Sequence, residues 1–274
     1  MKTEKLRWSL FDPTGNLTAL VESAVEPERQ PFVAAELMRL CPAAEQVGFV
    51  RFDAEPPALR MAGGEFCGNA AMSAAALYCL RVRETEALRL CVSGAAEPVE
   101  VRLSRAGEDR FAAQVSMPPP LDITRVPFAL GDVRGDLTLV RMQGISHLII
   151  PEASPFFALC ADRPRAERAV KTWCGELAAD CLGLMFLSGE GAARSLTPLV
   201  VVPASGTVFW ESSCASGSAA VGMALAAESG STVELTMQEP GGSLAVRSDP
   251  NSGMTLLRGT TRLIQTEESE ISEV

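Results

Sequence analysis

The chain has 274 residues, 47 % of them apolar and 21 % charged, enough to bury one large core or two ordinary ones and too apolar for a disordered chain. Its formal net charge of −10 works against nucleic acid and anionic membranes, both of which select clustered Lys and Arg. No apolar run follows Met1-Lys2-Thr3-Glu4-Lys5, and no uncharged apolar stretch reaches the ~18 residues of a membrane span, so a cytoplasmic location is the expectation.

Short β-branched runs bounded by turn residues predict strands at 6–11 and 18–21. A helix follows over 31–40, with Pro31 in its first turn. A strand at 48–52 precedes an Ala-rich helix over 69–80, and strands at 88–92, 99–103 and 111–117 complete the first half. Met117-Pro118-Pro119-Pro120, near the middle, reads as a stiff extended linker. Beyond it come strands at 137–142 and 148–150, a helix over 163–182, strands at 184–187 and 199–202, a second Ala-rich helix over 216–228, and strands at 232–237 and 244–247. The acidic tail, 267–274, is expected to fray. Many strands and few helices make the class α+β.

Eight cysteines stand at 41, 67, 79, 91, 160, 174, 181 and 214, with no C-x-x-C and a single histidine, His147. Zinc needs close Cys or His pairs, so no metal site is expected. Six of the thiols read as small buried hydrophobes. Cys67 and Cys214 differ. Cys67-Gly68-Asn69-Ala70-Ala71 and Cys214-Ala215-Ser216-Gly217-Ser218 each place a cysteine before small and polar residues that open an Ala-rich helix. The two segments lie a little over half the chain apart. Two copies of one domain are therefore expected, 1–119 (completed by about 260–274) and 120–259, with both cysteine-tipped helices at a common cleft.

A cysteine at a helix N-terminus meets unsatisfied N–H groups and the positive end of the dipole, which favour thiolate and can also hold a carboxylate. A thiolate on one side of a carbon and a thiol on the other can remove a proton from one face and return one to the opposite face. Developing charge on a substrate carboxylate would be stabilised by the preorganised dipoles of the helix ends. Neither a phosphate loop nor a nicotinamide fingerprint is present, and this chemistry needs no cofactor.

At these residues the chain resembles the diaminopimelate epimerase family, whose fold is two similar domains around a two-cysteine cleft. The resemblance rests on Thr14-Gly15-Asn16, Glu45-Gln46, Gly64-Glu65-Phe66-Cys67-Gly68-Asn69, Gly144-Ile145-Ser146-His147 and Glu211-Ser212-Ser213-Cys214-Ala215-Ser216-Gly217, in that order. It implies two pseudo-symmetric domains, each a curved, mostly antiparallel sheet around a central helix. It also implies catalytic Cys67 and Cys214, with His147 helping a cysteine change protonation state, its imidazole titrating in the useful range. Asn16, Glu45, Gln46, Gly68, Asn69, Glu211, Ala215 and Ser216 are the implied substrate contacts.

The departures bear on substrate. Met61 and Ile145 stand where the family has asparagine, Cys181-Leu182-Gly183-Leu184-Met185-Phe186 carries no side-chain amide, and Val202-Pro203-Ala204-Ser205 replaces a Glu-Arg pair. Without that Arg the distal carboxylate of diaminopimelate has no grip. The segments 12–16, 63–67 and 209–214 are instead similar to the histidine-racemase branch, some of whose members supply D-histidine to metallophore synthesis. Glu45, Glu65 or Glu211 would face a cationic or imidazole side chain. The resemblance thus implies a cofactor-independent racemase whose partner is a small α-amino acid, with a homodimer allowed for. The alternatives are an epimerase of another basic amino acid or of diaminopimelate, and a catalytically silent amino-acid-binding homologue. Proline racemases fit the 12–16 and 45–46 contexts poorly, and phenazine-type isomerases lack the cysteine pair.

Overall fold

The computed structural model describes residues 3–272; Met1, Lys2, Glu273 and Val274, and with them the last two positions of the expected frayed tail, lie outside the described residues. The chain divides into two compact units. One takes the residues up to Val115 and those from Arg258 onward, the other is Ser116–Leu257.

The first unit runs β1 (Thr3–Pro13), β2 (Thr18–Val21), α1 (Gln30–Leu40), β3 (Gln46–Arg51), β4 (Ala58–Met61), α2 (Gly68–Arg81), β5 (Ala87–Val92), β6 (Val99–Arg105) and β7 (Arg110–Met117). The second runs β8 (Asp122–Leu130), β9 (Val133–Met142), β10 (Ile145–Pro151), α3 (Arg163–Glu176), β11 (Leu182–Ser188), β12 (Ala193–Val202), β13 (Thr207–Trp210), α4 (Ala215–Ser229), β14 (Val233–Glu239) and β15 (Gly242–Asp249). The last strand, β16 (Met254–Ser272), starts in the second unit and returns to the first.

In the first unit the strands follow the order β1 to β7, and β16 pairs with both β7 and β1. The sheet therefore closes on itself, which leaves no open edge. Strands β6 and β7 alternate: Val99, Val101, Leu103, Phe111, Ala113, Val115 and Met117 are buried, and their neighbours are not. Strand β3, parallel to β2, is buried over Val47-Gly48-Phe49-Val50, as expected of a strand covered on both faces. Every residue of α2 from Gly68 to Cys79 is buried, and the helix packs on β1, β2, β4, β5 and β6. A helix apolar all round belongs inside, and alanines let strands approach its backbone closely.

In the second unit α4 is buried from Ala215 to Met223 and packs on β9, β10, β11, β14 and β15. Helix α3 covers β11 and β12. It buries Trp173 against Phe128 and Phe156, with ring centroids 4.9 and 5.3 Å away.

The two units share a pairing sequence. In the first, β1–β2 is antiparallel, β2–β3 parallel, β3–β4 antiparallel, β4–β5 parallel and β5–β6 antiparallel. In the second, β9–β10, β10–β11, β11–β12, β12–β14 and β14–β15 repeat those five senses in order. Parallel neighbours need a crossover, and a helix supplies each one: α1 and α3 the first, α2 and α4 the second.

Two expectations are corrected. Helix α3 stops at Glu176 rather than 182. Ala178 takes a left-handed φ of 48° and the Ala179 N–H returns to the Cys174 carbonyl, a turn that ends the helix and frees Leu182 to begin β11. The acidic tail does not fray over 267–272. It pairs with β1 from Trp8↔Glu267 to Thr3↔Ser272, with Trp8 Nε1 donating to Ser269 Oγ and Ile271 buried. No helix among the described residues is long and apolar enough to cross a membrane.

Candidate active site

Cys67 is the N-cap of α2, in extended backbone at φ −133°, ψ 110°. The Ala70 N–H donates to its sulfur at 3.4 Å, and the thiol donates to Gln46 Oε1 at 3.2 Å. Gln46 opens β3 opposite Thr18 of the parallel strand β2, so its Nε2 donates to Thr18 Oγ1 at 2.8 Å and to Asn16 Oδ1. Asn16 Nδ2 in turn donates to Glu45 Oε2 at 3.2 Å. The chain has one polarity: Glu45 accepts from the Asn16 amide nitrogen, Asn16 presents oxygen to Gln46, and Gln46 presents oxygen to Cys67. Thr14 and Gly15 make the turn that brings Asn16 inward, at φ 56° and 90°, with Gly15 N–H on Asp12 Oδ1.

The loop before Cys67 is held by the turn just beyond β5. Ser93 Oγ donates to the Glu65 carbonyl and accepts from the Met61 N–H. A Cβ on Gly94 would lie 2.4 Å from Phe66 N, so only glycine permits this approach. Burial pushes the Glu65 carboxyl above its ordinary range, against backbone N–H groups of Glu65 and Gly63 and the charge of Arg60.

Cys214 caps α4 in nearly the same conformation, φ −128°, ψ 99°. Its surroundings differ. The Cys214 N–H donates to Glu239 Oε2 at 2.5 Å, and Ser218 donates to the other oxygen of the same carboxyl. The sulfur lies 3.7 Å from Ser216 Oγ. Burial first, then the charges of Glu211 and Glu239 and a hydrogen bond with Glu211, push the thiol well above its ordinary range; the Gly217 N–H works the other way. Burial pushes Glu239 itself up to about 8, opposed by Ser218 and the Cys214 N–H. Glu211 follows β13, whose Trp210 stacks on Phe186 at 5.8 Å, donates to Glu167 and lies under Arg163.

His147 lies on β10 opposite Gly183 and is fully buried. Burial drops its imidazole to about 3, so the ring is neutral. Neither ring nitrogen has a hydrogen-bond partner among the described residues. A Cβ on Gly183 would meet both the imidazole and the Met185 methyl, and one on Gly217 would meet both Met185 Sδ and Cys214 Sγ. Met185 therefore lies close to both the His147 ring and Cys214 Sγ.

The expected residues thus gather around two thiols. Asn16, Glu45, Gln46, Gly68 and Asn69 surround Cys67; Glu211, Ala215 and Ser216 surround Cys214. No group of three or more His, Cys, Asp or Glu among the described residues is arranged to hold a metal.

The model of the histidine racemase CntK N-terminal domain family matches residues 5–257. The chain belongs to this family. A histidine racemase of Fusobacterium nucleatum is 30 % identical over 230 residues, 81 % of each chain. One from Staphylococcus aureus is 26 % identical over 261 residues, 90 % of each. Among solved structures, a probable proline racemase from Agrobacterium radiobacter with bound carbonate is similar with a TM-score of 0.67 at 13 % identity, over 96 % of this chain and 92 % of that one, which shows a shared fold. The resemblance to the histidine-racemase branch is borne out.

Sequence reasoning missed Glu239, Ser218, Ser93, Gly94 and Met185. Gly94, a glycine just after a strand, was the only one with a local signal. The others act across distances that no short motif spans.

Proposed function

We propose that the chain is a cofactor-independent amino-acid racemase that inverts the α-carbon of histidine through Cys67 and Cys214. The observation that carries this reading is the recurrence: in each unit a cysteine caps the buried helix of the second parallel crossover. We read the units as two copies of one domain, 1–119 with about 260–274 and 120–259, each a curved sheet around its central helix.

One cysteine, as thiolate, takes the α-proton from one face. The other, as thiol, delivers a proton to the opposite face, and the roles exchange in the reverse direction. The first-turn N–H groups of Gly68 and Asn69, and of Ala215 and Ser216, are the donors for the substrate carboxylate as it gains charge. Asn16 and Gln46 line the Cys67 side. Glu211, within hydrogen-bond reach of Cys214, is the carboxylate for an imidazole or its cation. All eight cysteines are free, which suits work in the reducing cytoplasm.

The test is α-proton exchange in D₂O, followed by NMR over a panel of L-amino acids without added cofactor. Histidine is expected to exchange and diaminopimelate not. Exchange confined to another amino acid would overturn the substrate, and no exchange with any would overturn the reaction.

A further inference from the structure

Strand β13 is short, and its two faces do different things. Its back is anchored. Val208 and Trp210 pack against the core under α3, and Trp210 stacks on Phe186 with ring centroids 5.8 Å apart, donates to Glu167 Oε1 at 3.0 Å and lies 5.0 Å from the Arg163 guanidinium. Side chains alternate along a strand, so Phe209 and Glu211 face the other way. The register identifies that face. His147, Gly183, Val200 and Phe209 form one row across β10, β11, β12 and β13. The next row runs Met185, Pro198 and Glu211, the last with its N–H on the Pro198 carbonyl at 3.1 Å. Cys214 lies over this second row: Met185 is close to its sulfur, and Glu211 is hydrogen-bonded with it. Phe209 therefore stands on the thiol's side of the sheet, about 7 Å along the strand from Glu211. It is half-buried and belongs to none of the ring pairs among the described residues.

We infer that Phe209 is a specificity-determining residue: its ring is the flat wall on which the substrate's imidazole stacks, while Glu211 takes up the imidazole N–H. The inference rests on the histidine-racemase reading and deepens it. A carboxylate alone accepts the ammonium of a lysine as readily as an imidazolium. A phenyl face adds attraction for a flat ring, and it does so in either charge state: neutral imidazole stacks on it, and imidazolium is drawn to its negative face. The anchored back of β13 serves the same end. With Trp210 held by Phe186, Glu167 and Arg163, the strand presents Phe209 and Glu211 in one arrangement before the substrate arrives, so less ordering has to be supplied on binding.

The test measures KM and kcat separately for α-proton exchange of L-histidine by the whole protein and three variants. A wall contact is made alike in the bound substrate and in the transition state, so its loss raises KM and leaves kcat within about twofold. Phe209→Ala is expected to raise KM about tenfold, and Phe209→Leu, which keeps apolar bulk without a ring face, about threefold. Val208→Ala is the control. It loosens the back of the same strand without touching the front, and KM is expected to stay at the wild-type value. A KM unmoved in Phe209→Ala, or a fall in kcat alone, overturns the inference. So does an equal rise in KM for Val208→Ala, which would show that strand rigidity and not ring contact is at work. If Phe209→Ala does not fold, an unchanged KM in Phe209→Leu overturns it alone. An inactive wild-type protein would overturn the racemase reading and this inference with it, whereas an active one with indifferent Phe209 variants overturns only the inference.

Discussion

Gly94→Ala tests how the loop before Cys67 is held. Gly94 has φ +70°, and a Cβ there would lie 2.4 Å from Phe66 N and 2.9 Å from the Glu65 carbonyl carbon. Both are main-chain atoms, so the backbone next to Cys67 has to move. A left-handed alanine costs about 1 kcal/mol, and the collision adds about 1–3 kcal/mol. The sum, roughly 2–4 kcal/mol, corresponds to a fall in melting temperature of roughly 5–15 °C for a chain of this size. Displacing the cysteine by about 1 Å lowers turnover by about a hundredfold. Gly131→Ala is the control: φ is +63° there too, but a Cβ would meet nothing within 4 Å. It is expected to lose about 1 kcal/mol and no activity. Thermal melting by circular dichroism and initial rates of α-proton exchange compare the pair. Equal melting temperatures and equal rates would refute the backbone-collision argument.

Two further outcomes are expected. His147 has a folded pKa of about 3 against an ordinary 6.5, so the unfolded chain binds the extra proton between those values. Stability is therefore full above about pH 6.5 and falls by up to about 1.4 kcal/mol per pH unit as pH drops towards 3. His147→Phe keeps a flat ring beside Gly183 and should flatten this acid slope in urea titrations; an unchanged slope would remove the argument. Gln46→Leu deletes the amide between Asn16 and Cys67 and should lower exchange about ten- to a hundredfold with urea stability changed by about 1–3 kcal/mol. Wild-type turnover in a folded variant would show that the Glu45-Asn16-Gln46 relay does not act on the thiol.

The capped helices were legible in the sequence for a local reason. A cysteine followed by small residues and then alanines is a helix start with its own N-terminal chemistry, and α2 and α4 begin within a residue of the expected positions. Asn16 and Gln46 came through the resemblance, and the β2–β3 register sets Gln46 between Asn16 and Cys67. Glu239 was not legible. It lies at the far end of the next strand, and an isolated glutamate reads as solvated. The fate of the acidic tail was hidden for a similar reason. Its charges predict exposure, but its backbone pairs with β1 across most of the chain, and alternate side chains such as Ile271 turn inward. The left-handed Ala178 that ends α3 carries no residue signal, because alanine otherwise favours continuing the helix.

The most direct test of the two-thiol account follows L-histidine in D₂O with the enantiomers separated chromatographically and the α-position read by mass spectrometry early in the reaction. Two bases on opposite faces predict that D-histidine appears already deuterated while the remaining L-histidine keeps its protium, and that Cys67→Ser and Cys214→Ser each stop product formation. Deuterium in recovered L-histidine before any D-histidine forms, or full turnover in either serine variant, would contradict it.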